Sequence, residues 1–175
     1  MDATDTRFRL SKSKIAAYEH CAKRLWLQVH RRDLASIDSG TLELFRWGHR
    51  VGELARDRLP GGVMVDATPD IGTALAQTRE LIDAACAQPM FEATFQHQDV
   101  LVRADILEPD SGGRWRLIEV KNSGQVRPYQ IADIATQGWT AIGQGVRISA
   151  FVIRNVQRKV RARPTLHTAP SSTLT

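Results

Sequence analysis

The chain has 175 residues, 42% of them hydrophobic and 25% charged, which suits one ordinary globular domain with a core and is too short for two. Its 24 basic and 19 acidic side chains leave a formal charge of +5, which fits a polyanionic partner or a solvated basic surface equally well. No apolar run approaches membrane-spanning length and no secretion signal opens the chain, so a soluble cytoplasmic protein without membrane contact is expected.

Residues 1–8 are expected to be flexible. Basic side chains crowd the segment that follows, among them Lys12, Lys14, Lys23, Arg24, Arg31 and Arg32. Such a patch can neutralise phosphates, which makes Lys12, Lys14 and Arg24 candidate substrate contacts. Ser11 or Ser13 can cap a helix in which Ile15, Tyr18, Cys21 or Ala22, and Leu25 recur at helical spacing, with Trp26, Leu27 and Val29 extending the apolar face. A second helix is expected over Thr41 to Leu59, with Leu44, Phe45, Gly48, Val51, Gly52, Leu54 and Ala55 inward, stopped by Pro60-Gly61-Gly62. A short strand at Val63–Val65 and a third helix over Ile71 to Ala87 follow.

The period then changes to two. Phe91 to Phe95, Val100 to Leu107 and Trp115 to Lys121 read as strands, the last two joined by the dense turn signal Glu108 to Gly113. A fourth helix is expected over Tyr129 to Gly143, with Ile131, Ile134, Ala135 and Trp139 inward, and a closing strand over Arg147 to Val156. One domain over residues 9–156 is the economical reading, with a basic, polar and disordered tail at 157–175.

The hairpin carries the chemistry. Glu119 and Lys121 are two apart on a strand and share a face with Trp115 and Leu117; Leu101, Arg103, Asp105 and Leu107 share a face on the strand before. A turn centred on Gly112 places Asp105 directly across from Glu119. Like charges facing each other destabilise a ladder unless a cation compensates, and carboxylates are hard ligands suited to Mg²⁺ or Mn²⁺. An ammonium at Lys121 can orient a water or stabilise charge on a phosphorane; with a depressed pKa it can instead act as general base. Salt-bridged strand residues explain the same trio without catalysis.

Phe91-Glu92-Ala93, then Arg103-Ala104-Asp105-Ile106-Leu107, then Leu117-Ile118-Glu119-Val120-Lys121-Asn122-Ser123 resemble the motifs of the PD-(D/E)XK nuclease superfamily. Leu10 to Ser13, Cys21 to Leu27, Gly48 to Ala55 and Asp133 to Gln137 extend the likeness to the RecB-like branch that includes CRISPR-associated exonucleases, and within it to the bacterial domain-of-unknown-function 2779 family. The resemblance implies an α/β fold with a restriction-endonuclease-like core: a mixed central sheet flanked by helices, with an N-terminal helical segment. It also implies metal ligation by Asp105, Glu119, the Val120 carbonyl and Glu92, catalysis by Asp105, Glu119 and Lys121, and a substrate- or site-binding role for Gln137. Relatives that hold an iron–sulfur cluster use four cysteines, whereas only Cys21 and Cys86 occur here, so no cluster is expected and both thiols read as small buried hydrophobes. The branch's metal-binding histidine has Gly52 in its place; His49 lies nearby, and an exposed helix histidine is its plainer reading.

The sequence therefore predicts a Mg²⁺- or Mn²⁺-dependent nuclease acting on DNA rather than RNA. The alternatives are a nucleic-acid-binding module with the nuclease fold but no turnover, and an inert scaffold with solvated charges.

Overall fold

The computed structural model describes residues 10–36 and 38–155, apart from the side chain of Leu44. The expected flexible start, the expected tail at 157–175 and the last residue of the closing strand lie outside these residues. In chain order the elements are β1 (Leu10–Ser11), α1 (Lys12–His20), α2 (Ala22–His30), a 3₁₀ turn (Arg32–Leu34), α3 (Ser39–Arg56), β2 (Val63–Met64), α4 (Ile71–Asp83), β3 (Met90–His97), β4 (Val100–Pro109), β5 (Trp115–Lys121), α5 (Pro128–Gly143) and β6 (Ile148–Asn155). No helix among the described residues is long and apolar enough to cross a membrane.

The strands form one mixed sheet in the order β2-β3-β4-β5-β6, flanked by helices. β3, β4 and β5 are antiparallel neighbours, joined by short turns. β5 and β6 are parallel and need the crossover that α5 supplies. β1 adds two parallel pairs to β4, Leu10 with Val100 and Ser11 with Leu101, in the stretch where β5 no longer accompanies it. The fold class is thus α/β, as expected.

Two apolar clusters cover the two faces. On one face Met90, Ala93, Phe95, Val102, Ala104, Leu107, Trp115 and Leu117 pack with Ile134 and Ala141 of α5 and with Leu81 and Ile82 of α4. On the other, Phe91, Ile106 and Ile118 pack with Ala55 of α3. These memberships reveal a break in alternation. Ala104 and Ile106 would share a face in a regular strand, yet they belong to opposite clusters, as do Phe91 and Ala93. Both inversions occur at one level of the sheet, at Asp105 and Glu92, and the regular β3–β4 pairs skip that level. Glu92 there has φ 59°, in the left-handed region. The expected common face of Leu101, Arg103, Asp105 and Leu107 is therefore interrupted at Asp105.

The helices depart from expectation in three places. The run expected as one N-terminal helix is two, because Cys21 is extended (φ −170°, ψ 121°) between α1 and α2. Apolar spacing continues across the break, so periodicity does not reveal it. Tyr18 and Trp26 are exposed, and so is Cys21; Cys86 is partly buried, and both thiols are free. In α3, of the expected inner residues whose side chains are described, only Val51 and Ala55 are buried, while Phe45, Gly48 and Leu54 are exposed. In α5 the buried stripe is Gln130, Ile134, Gln137, Gly138 and Ala141, whereas Ile131, Ala135 and Trp139 face outward. The helix is rotated so that its glutamines, rather than its largest apolar residues, meet the sheet.

The β4–β5 turn sets the register on which the site depends. Asp110 accepts from the backbone N–H groups of Gly112 (2.8 Å) and Arg114 (3.0 Å), and Gly113 takes φ 66°. The pairs Ile106–Ile118, Leu107–Leu117, Glu108–Arg116 and Pro109–Trp115 follow, as a turn centred on Gly112 requires. The Arg114 N–H, then a hydrogen bond from Ser149, pull the Asp110 carboxyl down to about 2. A carboxyl depressed on folding stabilises the protein above its unfolded value of about 3.9, and that contribution is lost as pH falls from about 4 through about 2. Asp110→Ala should lower the urea midpoint at neutral pH and flatten its fall between pH ~4 and ~2. Parallel acid limbs for variant and wild type would show that the turn carboxylate does not carry this stability.

Candidate functional site

Three strands and two helices meet where β4 and β5 diverge. The last β4–β5 pair on this side is Ile106 with Ile118, so the next residues, Asp105 and Glu119, stand one step beyond the ladder. The Val120 N–H is claimed by Asp105, whose Oδ2 accepts it at 2.7 Å. Glu119 continues the Trp115–Leu117 face towards α5, as expected.

Glu119 is almost completely buried, 1% exposed, and both of its carboxylate oxygens meet donors. Lys12 Nζ at the start of α1 lies 2.9 Å from Oε1, Lys121 Nζ lies 2.7 Å from the same oxygen, and Gln137 Nε2 of α5 donates to Oε2 at 2.6 Å. Lys121 also donates to Asp133 Oδ2 of α5 at 2.8 Å and lies 5.9 Å from the centre of the Tyr129 ring. Gln137 and Asp133 are four apart on α5, one above the other on a helix face, which is how one helix serves both members of the Glu-x-Lys pair.

The electrostatics divide the two carboxylates. Burial alone would raise Glu119, but Lys12, then Lys121, and then the Gln137 hydrogen bond outweigh it, so its pKa lies below the usual value. Asp105 has weaker compensation. Burial, followed by the negative charge of Glu119, pushes it up to about 6, against the opposing pull of Lys12 and the Val120 N–H. Burial would lower Lys121, yet Glu119 and Asp133 raise it well above the usual lysine value. Between two carboxylates Lys121 is favoured as an ammonium, the opposite direction from the depressed pKa that the general-base option requires.

On the α3 side a cleft of about 320 Å³ is lined by His49, Gly52, Arg56, Glu92, Asp105 and Val120, together with Phe45, Gly48 and Ile106. Its carboxylates come from the level where both strands invert. Glu92 forms a 3.6 Å ion pair with Arg103. His49, on exposed helix surface, borders the same opening.

The structure thus brings together Asp105, Glu119, Val120, Lys121, Gln137 and Lys12, with Glu92 at the rim. It does not bring Lys14 or Arg24 to the carboxylates; they line a separate cleft between α1 and α2. Lys12 was expected only as a basic-patch residue, and nothing in its sequence neighbourhood indicates a partner at Glu119. Asp133 belongs to the Asp133 to Gln137 motif without an expected role of its own, although its spacing from Gln137 places the two on one helix face. The loop after β5 is tied down by Gln130, which is fully buried: its Nε2 donates to Ser123 Oγ at 3.1 Å, its Oε1 accepts from the Arg127 N–H at 3.0 Å, and Ser123 Oγ in turn donates to Asn155 Oδ1 at 2.9 Å.

Among the described residues no three His, Cys, Asp or Glu side chains are arranged to hold a metal ion. The donor chemistry nevertheless suits a hard divalent cation: Glu119 is buried, Asp105 is partly so, and Asp105 is short of compensating positive charge. Comparison of the chain with family models, with curated proteins and with solved structures gave no match.

Gln137→Leu keeps the side chain's bulk but removes the donor to a buried carboxylate oxygen. It should cost about 1–3 kcal/mol in stability, read from urea unfolding. An unchanged midpoint would mean that Glu119 does not depend on this contact.

Proposed function

We propose that the chain is a metal-dependent nuclease with a restriction-endonuclease-like core, of the PD-(D/E)XK type and closest in motif to the RecB-like branch, hydrolysing phosphodiester bonds in DNA. The observation that carries this reading is the joining of Glu119 and Lys121 near one strand end with Asp105, at the irregular rung inside the neighbouring strand, beside an open cleft. Asp105 and Glu119, with the Val120 carbonyl and Glu92, are the residues that would hold Mg²⁺ or Mn²⁺. When bound, such an ion would supply Lewis-acid polarisation of a phosphate and an acidified water. The chain's own part is then positional and electrostatic. Lys121, fixed between Glu119 and Asp133, presents an ammonium to charge that develops on the phosphorus oxygens. Gln137 and the α5 face keep Glu119 aimed, and the α3 cleft gives a phosphodiester access to Asp105.

A second reading, a nucleic-acid-binding module without turnover, is favoured by one specific observation. Two ammonium groups already neutralise Glu119 Oε1, and the carboxylates do not form a ready-made cage. The readings separate in one assay, incubation of the protein with labelled single- and double-stranded DNA and RNA and Mn²⁺. Cleavage that falls on the order of 100-fold or more in Asp105→Asn, Glu119→Gln and Lys121→Met supports the nuclease. Salt-sensitive binding without products supports the module, and cleavage unaffected by the three substitutions removes the assignment.

Lys12 offers a test that does not depend on turnover. Its ammonium occupies an oxygen that a metal would need, so Lys12→Met should tighten Mn²⁺ binding about tenfold by titration calorimetry. Weaker or equal binding would show that Lys12 does not compete at this oxygen.

A further inference from the structure

The α1–α2 segment carries a second concave surface, of about 670 Å³, distinct from the α3 cleft. Lys14, Lys23, Arg24, Arg31 and Arg32 line it, contributed by α1, by α2 and by the 3₁₀ turn that follows. Among the described residues that line it there is no carboxylate. Asp33 neutralises Arg31 from beside it, with a 2.7 Å ion pair, but Lys23, Arg24 and Arg32 are exposed and pair with no carboxylate among the described residues. Leu27 and Leu34 give the same cleft an apolar component.

Two features make this more than a solvated basic face. Arg24 and Arg31 are seven residues apart on or just past α2, with Leu27 and Gln28 between them on the same side, so the cationic edge runs about 10 Å. That length is enough for an unpaired strand to meet the edge with more than one phosphate. The cleft also begins at Ser11, Ser13 and Lys14, the turn of chain that places Lys12 against Glu119. The segment that forms this end of the cleft is therefore the one that contacts the buried carboxylate.

We infer that this cleft is the binding track for a single-stranded stretch of nucleic acid, held through its phosphates by Lys23, Arg24 and Arg32 and through sugar or base contact by Leu27 and Leu34. Phosphate contact of this kind is independent of sequence, so the track selects for charge and for an unpaired strand that fits a narrow concave surface. The inference rests on the nuclease reading for its direction towards Glu119, but the binding itself can be measured without it.

The test is fluorescence anisotropy in EDTA, where turnover cannot intervene, with a labelled oligothymidylate of about 20 nucleotides, longer than the ~4–16 nucleotides such sites cover. The triple variant Lys23→Ala, Arg24→Ala, Arg32→Ala should bind on the order of 10-fold or more weakly at ~0.1 M salt, and its slope of log affinity on log salt should flatten by about 2. A control with three exposed cations removed elsewhere, Arg58→Ala, Arg79→Ala and Arg116→Ala, should bind close to wild type. Equal losses in both variants, no loss in the first, or tighter binding of a duplex than of the single strand would each overturn the track. Hydrolysis of bis-(p-nitrophenyl) phosphate by the wild-type chain with Mn²⁺ reads the nuclease assignment separately, because that ester is too small to need the track. Hydrolysis with no loss of binding in the triple variant defeats the inference and spares the nuclease; loss of binding without hydrolysis does the reverse.

Discussion

Burying one negative charge governs this molecule. Glu119 sits with 1% exposure at the end of a central strand, and an isolated carboxylate there would take up a proton rather than stay charged. Its ionised state is maintained by ammonium groups from two directions and an amide from a third. Each donor is delivered by a different element: Lys12 by the β1–α1 junction, Lys121 by β5 itself, Gln137 by the crossover helix. The way α1, α5 and the sheet close around one another is therefore tied to a single side chain. A second carboxylate, Asp105, shares the neighbourhood with a smaller share of the compensation, which is what sets it apart chemically.

The same constraint explains α5. Its inward stripe mixes Gln130, Gln137 and Thr140 with Ile134, Gly138 and Ala141, so polar side chains share the contact with the sheet. One glutamine orders the loop after β5 and the other steadies Glu119. Large apolar residues that a purely hydrophobic docking would have buried, Ile131 and Trp139, are left exposed as a consequence. Satisfying a buried charge overrode apolar burial in setting the rotation of this helix.

Those facts also mark the limit of what could be read from the chain. The order of strands and helices from α3 onward, the extent of β5 and the β4–β5 register were legible, because alternation and a Gly- and Asp-rich turn are local signals. The Glu119–Lys121 pair was legible for the same reason: residues two apart on a strand share a face whatever surrounds them. The face of α5 was not, because hydropathy ranks isoleucine and tryptophan above glutamine and carries no information about a carboxylate elsewhere. Lys12 was not, since its contact joins residues far apart in the chain through a strand of two residues, too short to leave a pattern. The break at Cys21 escaped notice because the apolar period runs through it unchanged.

The paired inversion at Glu92 and Asp105 has a bearing on how the gene can vary. Each strand swaps the faces of its residues at the same rung, and every pair above and below that rung still matches cluster to cluster. Because the residue at the inversion is the extra one in each strand, losing its codon would make Ala104 and Ile106, or Phe91 and Ala93, consecutive in a regular pleat and leave every other side chain on its present face. What such a loss removes is the acid itself. Neither apolar core needs the irregular rung, and its place in the fold is to set Glu92 and Asp105 at the rim of the cleft.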